Sequence, residues 1–599
     1  MKYTKIIKAF LFIIGLHVLV ACNHDFLNTD PATEFSEQAL WSDQALVETF
    51  INNLYDRLDE PLTDGRMKCM LVDEAHYRGN QASTDFNNGL ITQDRLPAWG
   101  SVSYLYTWND MYKSIRYCNM FFENVDNIPF SENIVDGKNL RDRMTGEVHF
   151  LRAFFYFNLS KIYGGVPIIK GVFSLDDEFK TARNSYEETV NFILEELNQA
   201  IELLPSQHSG VNRGRITKGA AMALKSRVTL YAASDLYNST IFPEYSNQEL
   251  IRYTNDNRQQ RWRAAKDAAK AVIDLEQYSL YKPQPSSATE AAENYFNLFV
   301  AKDTEEDIFV KYFTVTVRQR WGLYTSPNGY HGWGANAPVG NLVDDYEMAD
   351  GSLFDWNNPE HAANPYSNRD PRFHGTILHN GAKWRVRPDD AKGLDPENRI
   401  QTGRKEVWNP ATNEIELHYG VDTRNSTIED WNGSQTGYYT KKYLDPNIDA
   451  QYVRQAVTWR FIRYTEILLN YAEACIELEE EDEALKYINL VRTRAGMPAI
   501  NESGMALKER YRNERRVELA FEDHRFFDVR RWAIGEEAYQ PVLSANIVYK
   551  LNDDKTTSSV PTISHVVFEQ RKWDNKMYFF PIMRDEMNKN DLLIQNPGY

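Results

Sequence analysis

The sequence predicts a mainly α-helical protein of paired helices, with a loop-rich region of minor β content set into its second half. Two observations carry that reading. Apolar residues return at the i, i+3, i+4, i+7 spacing in segment after segment of the first half and again near the C-terminus, as one buried helix face requires. Between these stretches, residues 280–455 lose the period and fill with Gly, Pro, Asn, Asp and aromatic residues, with only short β-type runs such as Ile308 to Val317.

The elements follow in chain order. Lys2, Lys5 and Lys8 precede a mostly apolar run of 13 residues, Ala9 to Ala21, which is too short to span a bilayer and sits where an export signal sits. Its end, Leu19-Val20-Ala21-Cys22, resembles a bacterial lipobox. The resemblance implies cleavage before Cys22 and acylation of its thiol and new amino group. Several acyl chains anchor stably where one binds only marginally. Losing residues 1–21 removes three lysines and no acid, so the formal charge moves from −18 to −21.

The first helices are read from Val47, Phe50, Ile51, Leu54 and Leu58, then Ile115, Cys118 and Phe122, then Val148, Leu151, Phe155, Leu159 and Ile162 before Gly164-Gly165. Ser185 and Glu188 form a capping box ahead of Val190, Ile193, Leu194, Leu197 and Ile201, and Pro205 ends that helix. Ala220, Leu224, Val228 and Tyr231 mark a further helix, as do Trp262, Ala265, Ala269 and Val272. After the loop-rich stretch, one face runs Phe461, Tyr464, Leu468, Tyr471, Cys475 and Leu478, and another Leu485, Ile488, Val491 and Ala495, stopped by Gly496 and Pro498. Helix pairs joined by short loops suggest solenoid units, although no strict 34-residue consensus repeats.

Composition narrows the function. The chain has 599 residues, enough for several domains or one large composite body, and we read one signal followed by a single body. Acids outnumber bases by 85 to 67, which argues against binding to a nucleic-acid backbone, since that is driven by clustered Lys and Arg. Four scattered cysteines, Cys22, Cys69, Cys118 and Cys475, build neither a disulfide framework nor a CxxC metal site. Aromatic residues make up 13% of the chain, more than its core obviously needs.

Several segments resemble the SusD/RagB family of nutrient-binding outer-membrane lipoproteins. They are Cys22 to Leu27 with Pro31, Glu147 to Ile169 (EVHFLRAFFYFNLSKIYGGVPII), Leu342 to Met348 with Asp350-Gly351, Arg463 to Glu473, Ile488 to Pro498, Glu514 to Trp532 (ERRVELAFEDHRFFDVRRW), Phe580-Pro581-Ile582 and Gln595 to Tyr599. The resemblance implies four tetratricopeptide-like helix pairs in a right-handed superhelical scaffold, with the loop-rich remainder on one side. It implies a SusC-like TonB-dependent barrel as partner, an oligosaccharide ligand, a lipid anchor in the outer membrane facing outward, and no cofactor or catalysis. Only Asp25 follows Cys22 where acidic pairs are usual, a departure that bears on surface exposure. The regions are then 1–21 signal, 22–35 tether, 36–280 helical, and 281–599, divided into loops at 281–455, helices at 456–535 and a closing segment at 536–599.

Oligosaccharides present apolar C–H faces edged by hydroxyls, so a binder needs flat rings beside amide, carboxylate or Arg groups. Loop aromatics suit this and helix-face aromatics such as Phe155 belong to the core. We select Trp99, Trp321, Tyr324 and Trp333, whose neighbouring small residues would leave the rings uncovered, with Asn80, Asp73 and Arg320 as polar companions. Trp356, Tyr366, Trp384, Trp431 and Tyr438 rank lower. The Glu514-Arg515-Arg516-Glu518 cluster reads as an ion-pair network joining the last helices to the loops, with Arg510 opposite Glu514.

Rival readings are a peptide-binding receptor of the same fold and a secreted glycan-active enzyme. The enzyme lacks a signature: Asp344-Asp345 and Asp389-Asp390 are not a recognisable carboxylate pair, and there is no GxSxG, HExxH or P-loop. His331, His361, His374 and His379 lack metal-ligand spacing and read as solvated loop histidines.

Overall fold

The computed structural model describes residues 37–58, 60–63, 65, 67–77, 81–94, 107–174, 176–314, 316–317 and 319–599. Its main helices are α1 (Gln44–Asp56), α2 (Trp108–Asn124), α3 (Leu140–Tyr163), α4 (Tyr186–Leu203), α5 (Lys218–Ala233), α6 (Arg258–Ile273) and α7 (Ala288–Val300). After a long interval come α8 (Tyr464–Glu477), α9 (Glu481–Arg494), α10 (Gly504–Glu518) and α11 (Arg525–Arg531). Six of these eleven begin at a capping side chain. Asp43, Thr107, Asn139, Thr217 and Ser287 accept from free N–H groups of the first turn, and Ser185 with Glu188 closes the capping box. Gly496 (φ +73°) ends α9 in the left-handed conformation that glycine adopts without strain.

Successive helices pack on one another: α2 on α3, α3 on α4, α4 on α5 and α5 on α6. The stack continues from α6 to α8 and from α8 to α9 and α10. Helix α3 departs from the one-face expectation. Every residue from Phe150 to Tyr163 is buried, because α2 and α4 flank it while Phe150 and Phe154 meet Phe309 and Phe461, with ring centroids 5.0 and 5.9 Å apart for Phe150–Phe309 and Phe154–Phe461. Burial on every side makes α3 an interior helix, and it encloses Arg152, Asn158 and Lys161 along with the apolar residues. One buried cluster runs from Trp41 to Leu593 and takes in Cys69, Cys118 and Cys475, together with most of the aromatic residues.

Two expectations are corrected here. The helical gap does not begin at 280, since α7 follows the Ser287 cap and buries Tyr295, Phe296 and Phe299. Phe461 lies on a strand, not on the helix after it. That strand, β4 (Trp459–Arg463), pairs antiparallel with β1 (Asp307–Lys311), and α8 starts only at Tyr464. Four longer strands, β2 (Arg404–Asn409), β3 (Glu414–Tyr419), β5 (Val542–Tyr549) and β6 (Thr562–Glu569), form a sheet in the order β6-β5-β2-β3, with β5 and β2 parallel, beside three pairs of two-residue strands. Among the described residues, no helix is long and apolar enough to cross a membrane.

A buried ion network ties α9 and α10 to the loops. Glu518 accepts from Arg463 at 2.8 Å, from Arg372 at 3.1 Å and from Arg494; Glu347 accepts from Arg492 at 2.9 Å and Arg510 at 2.7 Å. Arg372 also holds Asp370 and Glu514, and Glu522 takes Arg463 and Lys442. The charge run in α10 is therefore structural, as its helical spacing suggested. Its pairing differs from the local one expected: Arg510 reaches Glu347 and Glu502 instead of Glu514, and Arg515 reaches Asp528.

One buried acid stands outside this pattern. Glu74 receives the Phe521 N–H at 3.3 Å on Oε1, while its Oε2 has no hydrogen-bond partner among the described residues. Burial and then the charge of Asp73 push its carboxyl up to about 8 from 4.5. The native state thus keeps a proton that the unfolded chain gives up, so stability is full below about pH 4.5 and falls as pH rises toward 8. Glu74→Gln is expected to flatten the decline of Tm between pH 5 and 8 and to raise Tm at pH 8. An unchanged slope in thermal melts across that range would refute the assignment.

Candidate functional site

The aromatic loops of the sequence converge in the region after β1. A single helical turn, Trp321–Thr325, is followed by a segment that folds straight back on it. Trp333 N–H donates to the Leu323 carbonyl at 2.9 Å, Gly334 to Ser326 at 3.1 Å and Ala335 to Tyr324 at 2.7 Å. This return brings the Tyr324 and Trp333 rings together at 4.6 Å between centroids.

The glycines here serve close approach and not ring exposure. A Cβ on Gly332 would lie 2.1 Å from the Ser326 carbonyl oxygen. One on Gly334 (φ +55°) would lie 2.4 Å from the Asn432 carbonyl oxygen. The second contact sets the 321–335 loop against the turn Asp430–Asn432, which carries Trp431. Asn328 fastens the same two loops, its amide donating to the carbonyls of Val421, Thr423 and Ile428 while its oxygen accepts from the Tyr439 hydroxyl at 2.7 Å.

His331 (φ +59°) bridges the loops with Nδ1 3.1 Å from Glu429 and Nε2 3.2 Å from Asp390. Beneath it Tyr330 is fully buried, with Arg387 over its ring at 4.2 Å, and Arg387 is held by Asp395 and Asp422. A Cβ on Gly322 would lie 3.0 Å from the Ala450 Cβ, so the segment that leads to Tyr452 packs on the helical turn. Trp431 is 57% exposed and Tyr452 77%, and Trp333 is part-exposed. The surface is thus a rigidly underpinned rim of exposed rings beside the carboxylates of Glu429 and Asp390 and the imidazole of His331. Such a rim offers stacking faces and hydrogen-bond acceptors together.

The sequence-selected residues separate. Trp321 is corrected from platform to core: its ring is 0% exposed and its Nε1–H donates to the Lys442 carbonyl at 3.1 Å, so it has no face to offer. Asp73 is likewise corrected. Its carboxylate lies in an ion pair with Arg525 at 2.7 Å and Arg516 at 3.1 Å, and these guanidiniums outweigh burial and hold it at about 2. Tyr324 is buried and supports Trp333 instead of presenting its own face, while Arg320 is exposed at the start of the helical turn. Trp99, Asn80 and Cys22 lie outside the described residues. Trp431, ranked low from sequence, is the exposed tryptophan of this rim; its neighbours Asp430 and Gly433 were the available signal.

The histidine reading also changes. His374 and His379 are not solvated. Burial first, then nearby cations and, for His379, the neighbouring His374, pull them down to about 4 and about 3, and His379 lies against Tyr366 at 4.3 Å. Among the described residues, no group of three or more His, Cys, Asp or Glu side chains is placed to hold a metal ion.

Comparison with known proteins gives consistent results over most of the chain. A family model described as the SusD family matches residues 287–599, and one described as starch-binding associating with outer membrane matches residues 25–230. The chain is 22% identical to SusD-like protein P38 of Formosa agariphila over 559 residues, covering 90% of this chain and 94% of that one. A crystal structure of a SusD-like protein from Bacteroides fragilis superposes with a TM-score of 0.72 at 28% identity, over 95% of this chain and all of the other. A laminarin binding SusD-like protein shares the fold at a TM-score of 0.59 and 20% identity, covering 93% and 100% of the two chains.

Proposed function

The chain belongs to the SusD family, and from that membership we propose that it is an outer-membrane lipoprotein, anchored through Cys22, that captures an oligosaccharide at the Trp333–Trp431 rim and delivers it to a SusC-like TonB-dependent barrel. The fold is mainly helical and tetratricopeptide-like, as in its structural neighbours. The observation that carries the glycan reading is the exposed Trp431 beside the Tyr324–Trp333 pair and the acceptors of Glu429 and Asp390. A sugar ring stacks its C–H face on an indole while its hydroxyls donate to flanking carboxylates, and loops fastened at the level of Asn328 pay little ordering entropy on binding. The laminarin-binding neighbour and the starch-binding family description support a carbohydrate ligand for this chain. Trp99 and Asn80 remain part of the proposed ligand surface.

We read the protein as a binder and not an enzyme. The carboxylates at the rim, Glu429 and Asp390, both lie against His331, an arrangement that orients a loop. Affinity electrophoresis or calorimetry against a panel of glycans tests the proposal: binding to at least one glycan, without release of products, is expected. Binding to peptides and to no glycan would replace it with the peptide-receptor reading. For the anchor, Cys22→Ser is expected to move the protein from the membrane to the soluble fraction and to abolish its labelling by a fatty-acid probe. Retained labelling would refute lipidation at Cys22.

A further inference from the structure

Away from the rim, a small cavity of about 50 Å³ lies where α3, α5 and β4 meet the segment that leads into α11. That volume has room for a few water-sized particles. Three cations line it, Lys68, Lys161 and Arg227, together with the acids Glu522 and Asp523. Two of the cations are matched. Lys68 Nζ donates to Asp523 at 2.9 Å, and Arg227 donates to Glu466 at 2.6 Å and to the Phe461 carbonyl at 2.6 Å. Glu522 is in turn occupied by Arg463 at 2.7 Å and Lys442 at 2.8 Å.

Lys161 is the exception. It is 9% exposed, and its Nζ meets the rings of Phe527 at 4.0 Å and Phe157 at 4.9 Å, with no carboxylate within ion-pair distance among the described residues. Ring faces return only part of what burial takes from an ammonium group. Burial, then the like charges of Arg227 and Lys68, draw its pKa well below the ordinary lysine range against the pull of Asp523 and Glu466. His524, on the same wall, is held neutral by burial and by the arginines around it, so it adds no charge. The cavity therefore holds a buried amine that no acid among the described residues pairs, and space beside it.

We propose that this cavity is a binding site for a small monovalent inorganic anion, of halide size, with Lys161 as its principal ligand. Asn158 lines the same space and has a second amide hydrogen to give, since only one is taken by the Phe154 carbonyl at 3.0 Å. The acids Glu522 and Asp523 on the wall select against a doubly charged anion by repulsion. Because the anion binds the protonated amine, its binding takes up a proton and weakens as pH rises. Its structural effect is to clamp α3 to the segment before α11.

Bromide in crystals of the full mature chain tests the site by anomalous scattering. A peak within hydrogen-bonding reach of Lys161 Nζ is expected, and its loss in Lys161→Met. In solution, exchanging gluconate for bromide at constant ionic strength is expected to raise the Tm of the unmodified protein. The rise should shrink as pH increases and vanish in the variant; if Lys161→Met does not fold, Lys161→Gln serves the same comparison. Water in place of bromide, bromide confined to the surface, or an equal bromide response in the variant would overturn the proposal.

Discussion

Glu518→Ala is expected to lower the free energy of unfolding by roughly 3–5 kcal/mol, the scale of an opened buried ion pair. The side chain is fully buried and receives Arg463, Arg372 and Arg494, so its removal takes a carboxylate from three guanidiniums at once in a place water does not reach, and leaves Arg494 only the more distant carboxylate of Glu306 at 3.6 Å. The pH dependence has a definite sign. The arginines outweigh desolvation and hold the Glu518 carboxyl at about 2, below its value of 4.5 in an unfolded chain. Its contribution is complete above about pH 4.5 and is lost as pH falls toward 2. Urea titrations at pH 7 and pH 3 check this. The difference between wild type and variant should be large at pH 7 and smaller at pH 3, and a variant as stable as wild type at pH 7 would remove the network from any structural role.

The second large effect concerns binding. Trp431→Ala is expected to weaken the glycan at least about tenfold, which is about 1.4 kcal/mol, and Trp333→Ala with Trp431→Ala to remove measurable binding. Trp431 is 57% exposed, so its loss should leave Tm near that of wild type. Trp321→Ala is the contrasting case. Its indole is wholly buried, so a cavity of that size costs roughly 3–5 kcal/mol of stability, and any loss of binding should track the loss of folded protein. Calorimetry alongside thermal melts separates the two behaviours. Undiminished glycan binding in the Trp333 and Trp431 double variant would move the site elsewhere.

Much of the scaffold was legible because helix formation is local. The capping box at Ser185, the apolar periods and the stops at Gly164 and Gly496 each act within one or two turns, and each recurs in the structure. The misses have a common origin. Phe461 and Tyr464 fit one helical face, but pairing with β1 holds Phe461 in a strand. The α7 helix was obscured by its Pro- and Ser-rich approach. The sheet formed by β2, β3, β5 and β6 joins segments more than a hundred residues apart, and no local period announces such a partner.

The site shows the same division more sharply. The sequence by itself determined that aromatic residues gather among glycines around residues 320–334, that the α10 charges form a structural network, and that the chain resembles SusD/RagB lipoproteins. Only the tertiary structure decided which rings face outward. Trp321 and Trp333 are twelve residues apart in equally loop-like sequence, yet one donates to the Lys442 carbonyl in the core and the other lies at the surface. Trp431, nearly a hundred residues further on, joins the rim through the contact of Gly334 with Asn432. Periodicity records which face of a regular element is buried, because the backbone repeats. In an irregular loop nothing repeats, and the exposure of a ring depends on the distant backbone that packs against it.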